Sequence, residues 1–516
     1  MSDVVGISRD GDVAIVTIDN PPVNAMSHAV RSGVFEAMAS VRDDDGVKAV
    51  VLACAGRTFS AGADITEFGK TPQPPSLIEL INAIEAMPKP VVAALHGTVL
   101  GGGFELALGC HHRVAAAGTR VGLPEVKLGL LPGAGGTQRL PRLIGPVEAL
   151  KIIVSGDPVT AGTALKLGAI DEVVDGDPTA AAIALAKKLG AQGKAPVRLS
   201  ERDDLLADVK ADQSAFNEAA GKLTARARGL EAPHACVQAV KWSFELPVAE
   251  GLKRERELFI KLMNGDQSKA QRHLFFATRQ AAKVLDMPKD TKPRPVAKVA
   301  VIGAGTMGGG ISMNFANAGI PVTIVETSQE ALDRGFKTIE KNYGISVSRG
   351  RMSEDDLKQR MSKLTGSTDM NDIADADLLI EAVFEEMDIK KQIFSDFDRL
   401  AKPSAVLATN TSYLDVNEIA QMTKRPGSVL GMHFFSPANV MKLLEIVRGA
   451  ETEPDALATA VDIGRRIRKV PVVAGVCFGF IGNRMLRARS LETEQLLVGG
   501  ATPQQVDAAI TGFGFP

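Results

Sequence analysis

The chain has 516 residues, 45% hydrophobic and 23% charged, with a formal net charge of −2 at pH 7. This is ordinary composition for a soluble globular protein of about three domains, and the near-neutral balance gives no electrostatic reason to expect a nucleic-acid or anionic-membrane partner. Cys54, Cys110, Cys236 and Cys477 lie far apart with no C-x-x-C pair, which argues against a disulfide framework or zinc centre and suits a reducing compartment.

The amino terminus, MSDVVGISRDGDVAIVTID, carries acids and lacks the basic start and apolar core of a secretory signal. Up to about residue 190, the apolar runs VAIVTID, VKAVVLACAG and KPVVAALHG alternate with helical stretches, an α/β pattern. Residues 90–110 are too interrupted by His96, Glu105 and glycines to span a membrane. Cys110, His111 and His112 are adjacent rather than at chelating spacing, so no metal site is expected.

Within this region HGTVLGGGFELALG sets Glu105 among apolar residues, where a predicted buried strand gives way to a helix. An ionised carboxylate facing inward there needs pairing, hydrogen bonds or neutralisation. On this stretch alone, a solvent-facing Glu is about as plausible. A second carboxylate, Glu125, sits between apolar neighbours and the Pro/Gly-rich loop of VGLPEVKLGLLPGAGGTQRL.

Residues 191–285 change character: FNEAAGKLTARAR and LKRERELFIKLM read as charge-patterned helices, which predicts a helical connector. DMPKDTKPRPVAK, residues 286–298, predicts an exposed linker. After it, KVAVIGAGTMGGGISMNFANAGIPVTIVE runs strand, glycine turn, helix, strand and acid. Gly303, Gly305 and Gly308 fit G-x-G-x-x-G in the context that the dinucleotide fingerprint requires, and Glu326 closes the following strand. Backbone N–H groups of such a turn approach a pyrophosphate at the helix N-terminus. No Arg follows Glu326 in ETSQE, which favours NAD over NADP. DLLIEAVFE, AVLATNTS and VLGMHFFSP supply the further strands of a doubly wound sheet.

FSAGADI, LGGGFELALG and the loop around Glu125 together resemble the enoyl-CoA hydratase (crotonase) family over residues 1–190. The resemblance implies a spiral ββα fold, with Ala63 and Gly102 as the two backbone donors for a thioester oxyanion and Glu105 and Glu125 flanking the reacting double bond. Two such donors suit the charge that develops on the thioester oxygen during hydration. Isomerases that move a proton between carbons belong to the same family.

GMHFFSPANVMKLLEIV holds His433 and Glu445; with ATNTSYL before it and GFIGNRML after it, this region resembles the L-3-hydroxyacyl-CoA dehydrogenase family. That implies a Rossmann-type NAD-binding domain over 299–476 and the start of an all-helical domain over 477–516. It also implies His433 as base and Glu445 as its partner, Ser412 and Asn483 at the substrate, and Asn410, Glu385 and Lys390 near the cofactor. Taken alone, His433 reads as a satisfied structural histidine and Glu445 as a carboxylate on a helix surface.

The order hydratase, connector, dehydrogenase resembles the multifunctional enzymes of fatty-acid β-oxidation, with NPPVNAMS closer to the peroxisomal-type branch. The implied partners are enoyl-CoA and 3-hydroxyacyl-CoA thioesters, with NAD as cofactor and a thiolase as a protein partner to consider. The competing expectations are a thiolase-associated acyl-CoA-binding scaffold with idle sites, and an isomerase joined to a dehydrogenase. The compartment expected is cytoplasmic in a bacterium and peroxisomal in a eukaryote. Near the end, Thr502, Pro503 and Gln505 predict a capped helix that Gly512 would end, and the full protein is expected to continue beyond PQQVDAAITGFGFP.

Overall fold

Runs rich in Val, Ile and Ala cannot stay solvated, and in this computed structural model, which describes residues 3–515 except 72, 282 and 285, they become the central strands of two sheets. The chain divides into two units, residues 1–275 and 276–516.

In the first unit the strands are β1 (Val5–Asp10), β2 (Val13–Ile18), β3 (Ala49–Cys54), β4 (Val91–Leu95), β5 (Thr98–Leu100), β6 (His112–Ala116), β7 (Arg120–Gly122), β8 (Val159–Thr160) and β9 (Glu172–Val174). A six-stranded sheet has the order β1-β2-β3-β4-β6-β9, parallel apart from the β1/β2 hairpin. β5, β7 and β8 form a second, smaller sheet. β3 and β4 are buried along their whole length, as expected for parallel strands covered on both faces. Ala182 and Ala186 of the helix Pro178–Ala191 pack against one face of the large sheet.

The predicted helical connector is not a separate body. Helix Glu231–Glu245 lies on helices Gly136–Ile144 and Pro146–Ser155, and Cys236, Ala239, Val240, Phe259 and Leu262 join the main core of this unit. The reason is periodicity. Gly251, Glu255, Phe259 and Leu262 recur at helical spacing and form the buried face of Val248–Asn264, while Lys253, Arg254 and Lys261 face outward.

The second unit contains β10 (Val299–Ile302), β11 (Val322–Val325), β12 (Leu364–Ser367), β13 (Leu378–Glu381), β14 (Val406–Thr409), β15 (Val429–Phe434), β16 (Leu443–Arg448) and β17 (Val470–Gly475). They form one sheet in the order β12-β11-β10-β13-β14-β15-β16-β17, in which β15/β16 is the antiparallel pair. The order reverses direction at β10, so the crevice beyond the carboxyl ends of β10 and β13 is where such sheets bind ligands.

The stretch 286–298 is mostly exposed but anchored: Arg294 bonds both carboxylate oxygens of Asp455 at 2.8 and 2.9 Å, and Val296 is buried. Thr502 and Gln505 form the expected capping box of helix Pro503–Phe513. That helix runs through Gly512 and ends instead at Gly514, whose φ of +117° is the left-handed conformation a glycine C-cap supplies. Among the described residues, no helix is long and apolar enough to cross a membrane.

Candidate active sites

In the first unit β5 leads through Gly101 into helix Gly102–Gly109, every residue of which is buried, Glu105 included. Glu105 Oε1 accepts from the backbone N–H groups of Ala134 and Gly136, both at 2.8 Å. Burial raises the pKa of this carboxyl, and the two N–H donors oppose the rise by favouring the charged form. Glu125, at the start of a short 3-10 turn, faces the same cavity. Its Oε2 is buried with no hydrogen-bond partner among the described residues. Burial and then the nearby Glu105 push Glu125 well above the usual carboxylate range. The two carboxyls are therefore unequal: the two donors favour the charged form of Glu105, whereas Glu125 has no such donor and its proton is held more tightly.

The cavity encloses about 450 Å³, and its lining includes Ala63, Gly102, Glu105, Glu125, Arg256 and Phe259. A Cβ on Gly102 would lie 3.2 Å from the Ala63 amide nitrogen, so the two backbone segments run side by side. Neither amide N–H has a hydrogen-bond partner among the described residues. This is the arrangement an oxyanion requires, with Gly102 also at the positive end of its helix. Gly101 has φ of +52°, and a Cβ there would stand 2.8 Å from Glu125 Oε1. Gly101→Ala is therefore expected to store about 1–3 kcal/mol of backbone strain and to displace Glu125. Hydration of an enoyl thioester should fall about 10-fold or more with oxidation in the second unit unchanged, as measured by the two separate rates.

In the second unit His433 on β15 and Glu445 on β16 are direct cross-strand partners. Glu445 is a strand residue, not one on a helix surface: the chain turns back between the two residues, and antiparallel pairing brings them face to face. His433 Nδ1 lies 2.7 Å from Glu445 Oε2, and both side chains are buried. Glu445 Oε1 accepts from the Gly482 and Ile481 N–H groups at 2.7 and 3.1 Å. Burial alone would raise Glu445, but His433 and these two donors hold it below the usual range. An ionised carboxylate only accepts, so Nδ1 carries the hydrogen and the Nε2 lone pair is left free. Phe435 and Phe480 pack against the imidazole at centroid distances of 4.5 and 5.7 Å. Glu445→Gln would leave the Gly482 and Ile481 donors facing an amide, and oxidation should fall about 10²-fold, measured as NADH formed from L-3-hydroxyacyl-CoA.

The three fingerprint glycines have different physical reasons. Gly303 has φ of +101°, and a Cβ there would lie 2.8 Å from the Ala382 carbonyl oxygen; on Gly308 it would lie 1.9 Å from the Gly303 carbonyl oxygen. At Gly305 the same Cβ position meets nothing within 4 Å, leaving the turn open for a diphosphate. Glu326 accepts from the Ala304 N–H at 2.9 Å, and this bond with those from Thr327 holds its carboxyl below the usual range despite burial. The turn and its acid therefore fit NAD.

The remaining predicted residues divide into two groups. Asn410 Oδ1 accepts from the Phe434 N–H at 2.8 Å, next to His433. Ser412 and Asn483 are half-buried, on the loop after β14 and in the first turn of helix Gly482–Val498. Lys390, in contrast, is buried against Glu381 at 2.7 Å and Glu385 at 3.4 Å. Glu385 accepts from Thr411 Oγ1 and from the Ser412 and Tyr413 N–H groups. Lys390 and Glu385 thus brace the loop carrying Ser412, and the ammonium faces these carboxylates rather than open space. Sequence reading missed three further buried carboxylates: Glu85, paired with Arg139; Glu381, which also accepts from Thr409; and Glu255, whose signal was its place on the apolar face of a helix that otherwise reads as charged.

Residues 8–220 match the family described as enoyl-CoA hydratase/isomerase, and residues 298–477 match that described as 3-hydroxyacyl-CoA dehydrogenase, NAD binding domain. The chain is 43% identical to the peroxisomal bifunctional enzyme of Cavia porcellus and 45% identical to that of Danio rerio, over 98% of its own length and 70% of theirs. The chain belongs to the multifunctional β-oxidation enzyme family. It is 38% identical to the peroxisomal fatty acid beta-oxidation multifunctional protein of Oryza sativa subsp. japonica, over 99% of this chain and 72% of that relative. This member of the family has an enoyl-CoA hydratase domain in its first unit and an NAD-dependent 3-hydroxyacyl-CoA dehydrogenase domain in its second.

Proposed function

We propose that the Glu105/Glu125 pair hydrates trans-2-enoyl-CoA to L-3-hydroxyacyl-CoA and that the His433/Glu445 pair carries the oxidation of that product to 3-ketoacyl-CoA. The observation that carries this reading is the split between the two glutamates of one cavity, one fixed by two N–H donors and the other with a buried, unpartnered oxygen. Glu105 as carboxylate takes a proton from water as the oxygen adds to C3, Glu125 delivers its proton to C2, and the Ala63 and Gly102 amides hold the charge on the thioester oxygen. A scaffold would have no use for so desolvated an acid. The same pair could also carry a proton between C4 and C2 of a 3-enoyl-CoA.

In the second unit His433 Nε2 accepts the C3 hydroxyl proton, and Glu445 stabilises the imidazolium that results. NAD held at the Gly303, Gly305 and Gly308 turn would supply the hydride acceptor. Ser412 and Asn483 are assigned to the substrate, with Asn410 holding the strand that carries His433. Glu326 would accept from the adenosine ribose. The relatives' names point to the peroxisome for a eukaryotic source; the cytoplasm for a bacterial source, and a thiolase that consumes 3-ketoacyl-CoA as protein partner, are part of this proposal. The purified chain tests it: trans-2-enoyl-CoA without NAD should lose its enoyl thioester absorbance, and L-3-hydroxyacyl-CoA with NAD should yield NADH. A chain that binds both thioesters and turns over neither would favour the scaffold.

A further inference from the structure

The loop that holds Glu105 is itself held from behind. Along Ala134–Thr137, where the loop enters helix Gly136–Ile144, alternate N–H groups point to opposite sides. Those of Ala134 and Gly136 go to Glu105, whereas those of Gly135 and Thr137 go to Glu255, at 2.7 and 3.1 Å. The Thr137 hydroxyl is a third donor to Glu255. Glu255 comes from helix Val248–Asn264, more than a hundred residues further along, and is fully buried without lining the cavity. The same helix fits closely on the loop: a Cβ on Gly133 would stand 2.4 Å from the Phe259 ring, and one on Gly135 would stand 3.1 Å from Leu252. A backbone loop with four N–H groups aimed at two buried carboxylates has little freedom, since releasing any of them leaves a buried donor unpaired.

We propose that Glu255 is a positioning residue for the hydration reaction, fixing the Ala134–Thr137 loop so that its N–H groups keep Glu105 ionised and aimed at the substrate. This rests on the assignment of Glu105 and Glu125 above. Glu255 never meets the substrate and acts through the loop and through its charge. The groups within its field are Glu105 on helix Gly102–Gly109, Glu125 on its 3-10 turn, Arg139 on helix Gly136–Ile144, Cys236 on helix Glu231–Glu245, and Arg256 beside it. Burial and Glu105 push Glu255 up to about 8 against the pull of its three donors, and its charge, present as pH rises through that value, in turn raises Glu125.

The test is hydration of a short trans-2-enoyl-CoA by the full chain carrying Glu255→Gln or Glu255→Asp, with kcat and KM followed across pH and oxidation of L-3-hydroxyacyl-CoA measured alongside. For Glu255→Gln, kcat should fall about 10- to 100-fold with KM unchanged, and the alkaline limb of kcat should move to lower pH, because Glu125 loses a neighbouring negative charge. Glu255→Asp should recover part of the rate and return the limb to its wild-type position. A fall in kcat with an unmoved limb, or wild-type kcat and limb, overturns the proposal. Should Glu255→Gln not fold, Thr137→Val removes one donor and keeps the carboxylate: a several-fold loss of kcat at constant KM supports the proposal and an unchanged kcat overturns it. Glu105→Gln and Glu125→Gln, run in parallel, separate the two levels. If they retain hydration, the site assignment fails; if they abolish it while Glu255→Gln behaves as wild type, only this inference fails.

Discussion

Glu125→Gln is expected to lower hydration of trans-2-enoyl-CoA by about 10³-fold while oxidation of L-3-hydroxyacyl-CoA by NAD proceeds at the wild-type rate. Glutamine keeps the volume and can still donate a hydrogen bond into the cavity, so the Gly101 turn and the cavity shape should persist and KM should change little. What it cannot do is give up a proton. The raised pKa of Glu125 also fixes the sign of the pH dependence: the acid remains protonated beyond the ordinary carboxylate range, so hydration should persist past the pH at which a free carboxyl ionises and fall only as Glu125 loses its proton at higher pH. Hydration that falls away near pH 5 as pH rises would mean that Glu125 titrates normally and is not the acid. Rates of enoyl thioester loss between pH 5 and 10 distinguish the two cases.

His433→Gln should produce the complementary loss, about 10³-fold in NADH formation from L-3-hydroxyacyl-CoA, with hydration intact. The imidazole is the only base on β15 whose second nitrogen is already fixed by a buried carboxylate, and a glutamine amide offers no lone pair basic enough for a hydroxyl proton. The substitution also removes the imidazole that hydrogen-bonds Glu445. That carboxyl sits below its unfolded pKa in the folded chain, so the stability it contributes is present above the unfolded value and is lost as pH falls through the folded one. The variant should therefore be less stable than wild type near neutrality, with the difference narrowing as pH falls, read as unfolding midpoints of the second unit at pH 7 and pH 4.

Much of this was legible in the chain because local rules carried it. Gly303, Gly305 and Gly308 sit between a strand and a helix, where one turn geometry serves, and Thr502 with Gln505 makes a capping box within four residues. Glu105 could be suspected because its neighbours are apolar on every side of a helix. Features that depend on chain reversal or distant packing were hidden. Nothing local shows that Glu445 lies on a strand opposite His433, because the loop between β15 and β16 sets that register. Glu255 was masked by Arg254 and Arg256, although its four-residue spacing to Gly251 and Phe259 marks the inner face. The bracing of Ser412 by Glu385 and Lys390 also depends on β13 and β14 being neighbours in the sheet.

The most direct measurement gives the Glu125→Gln chain NAD with trans-2-enoyl-CoA, and then adds L-3-hydroxyacyl-CoA to the same cuvette. Two active sites on one chain, acting in sequence, predict almost no NADH before the addition and wild-type NADH formation after it. NADH forming at the wild-type rate before the addition, or none forming after it, would contradict the account.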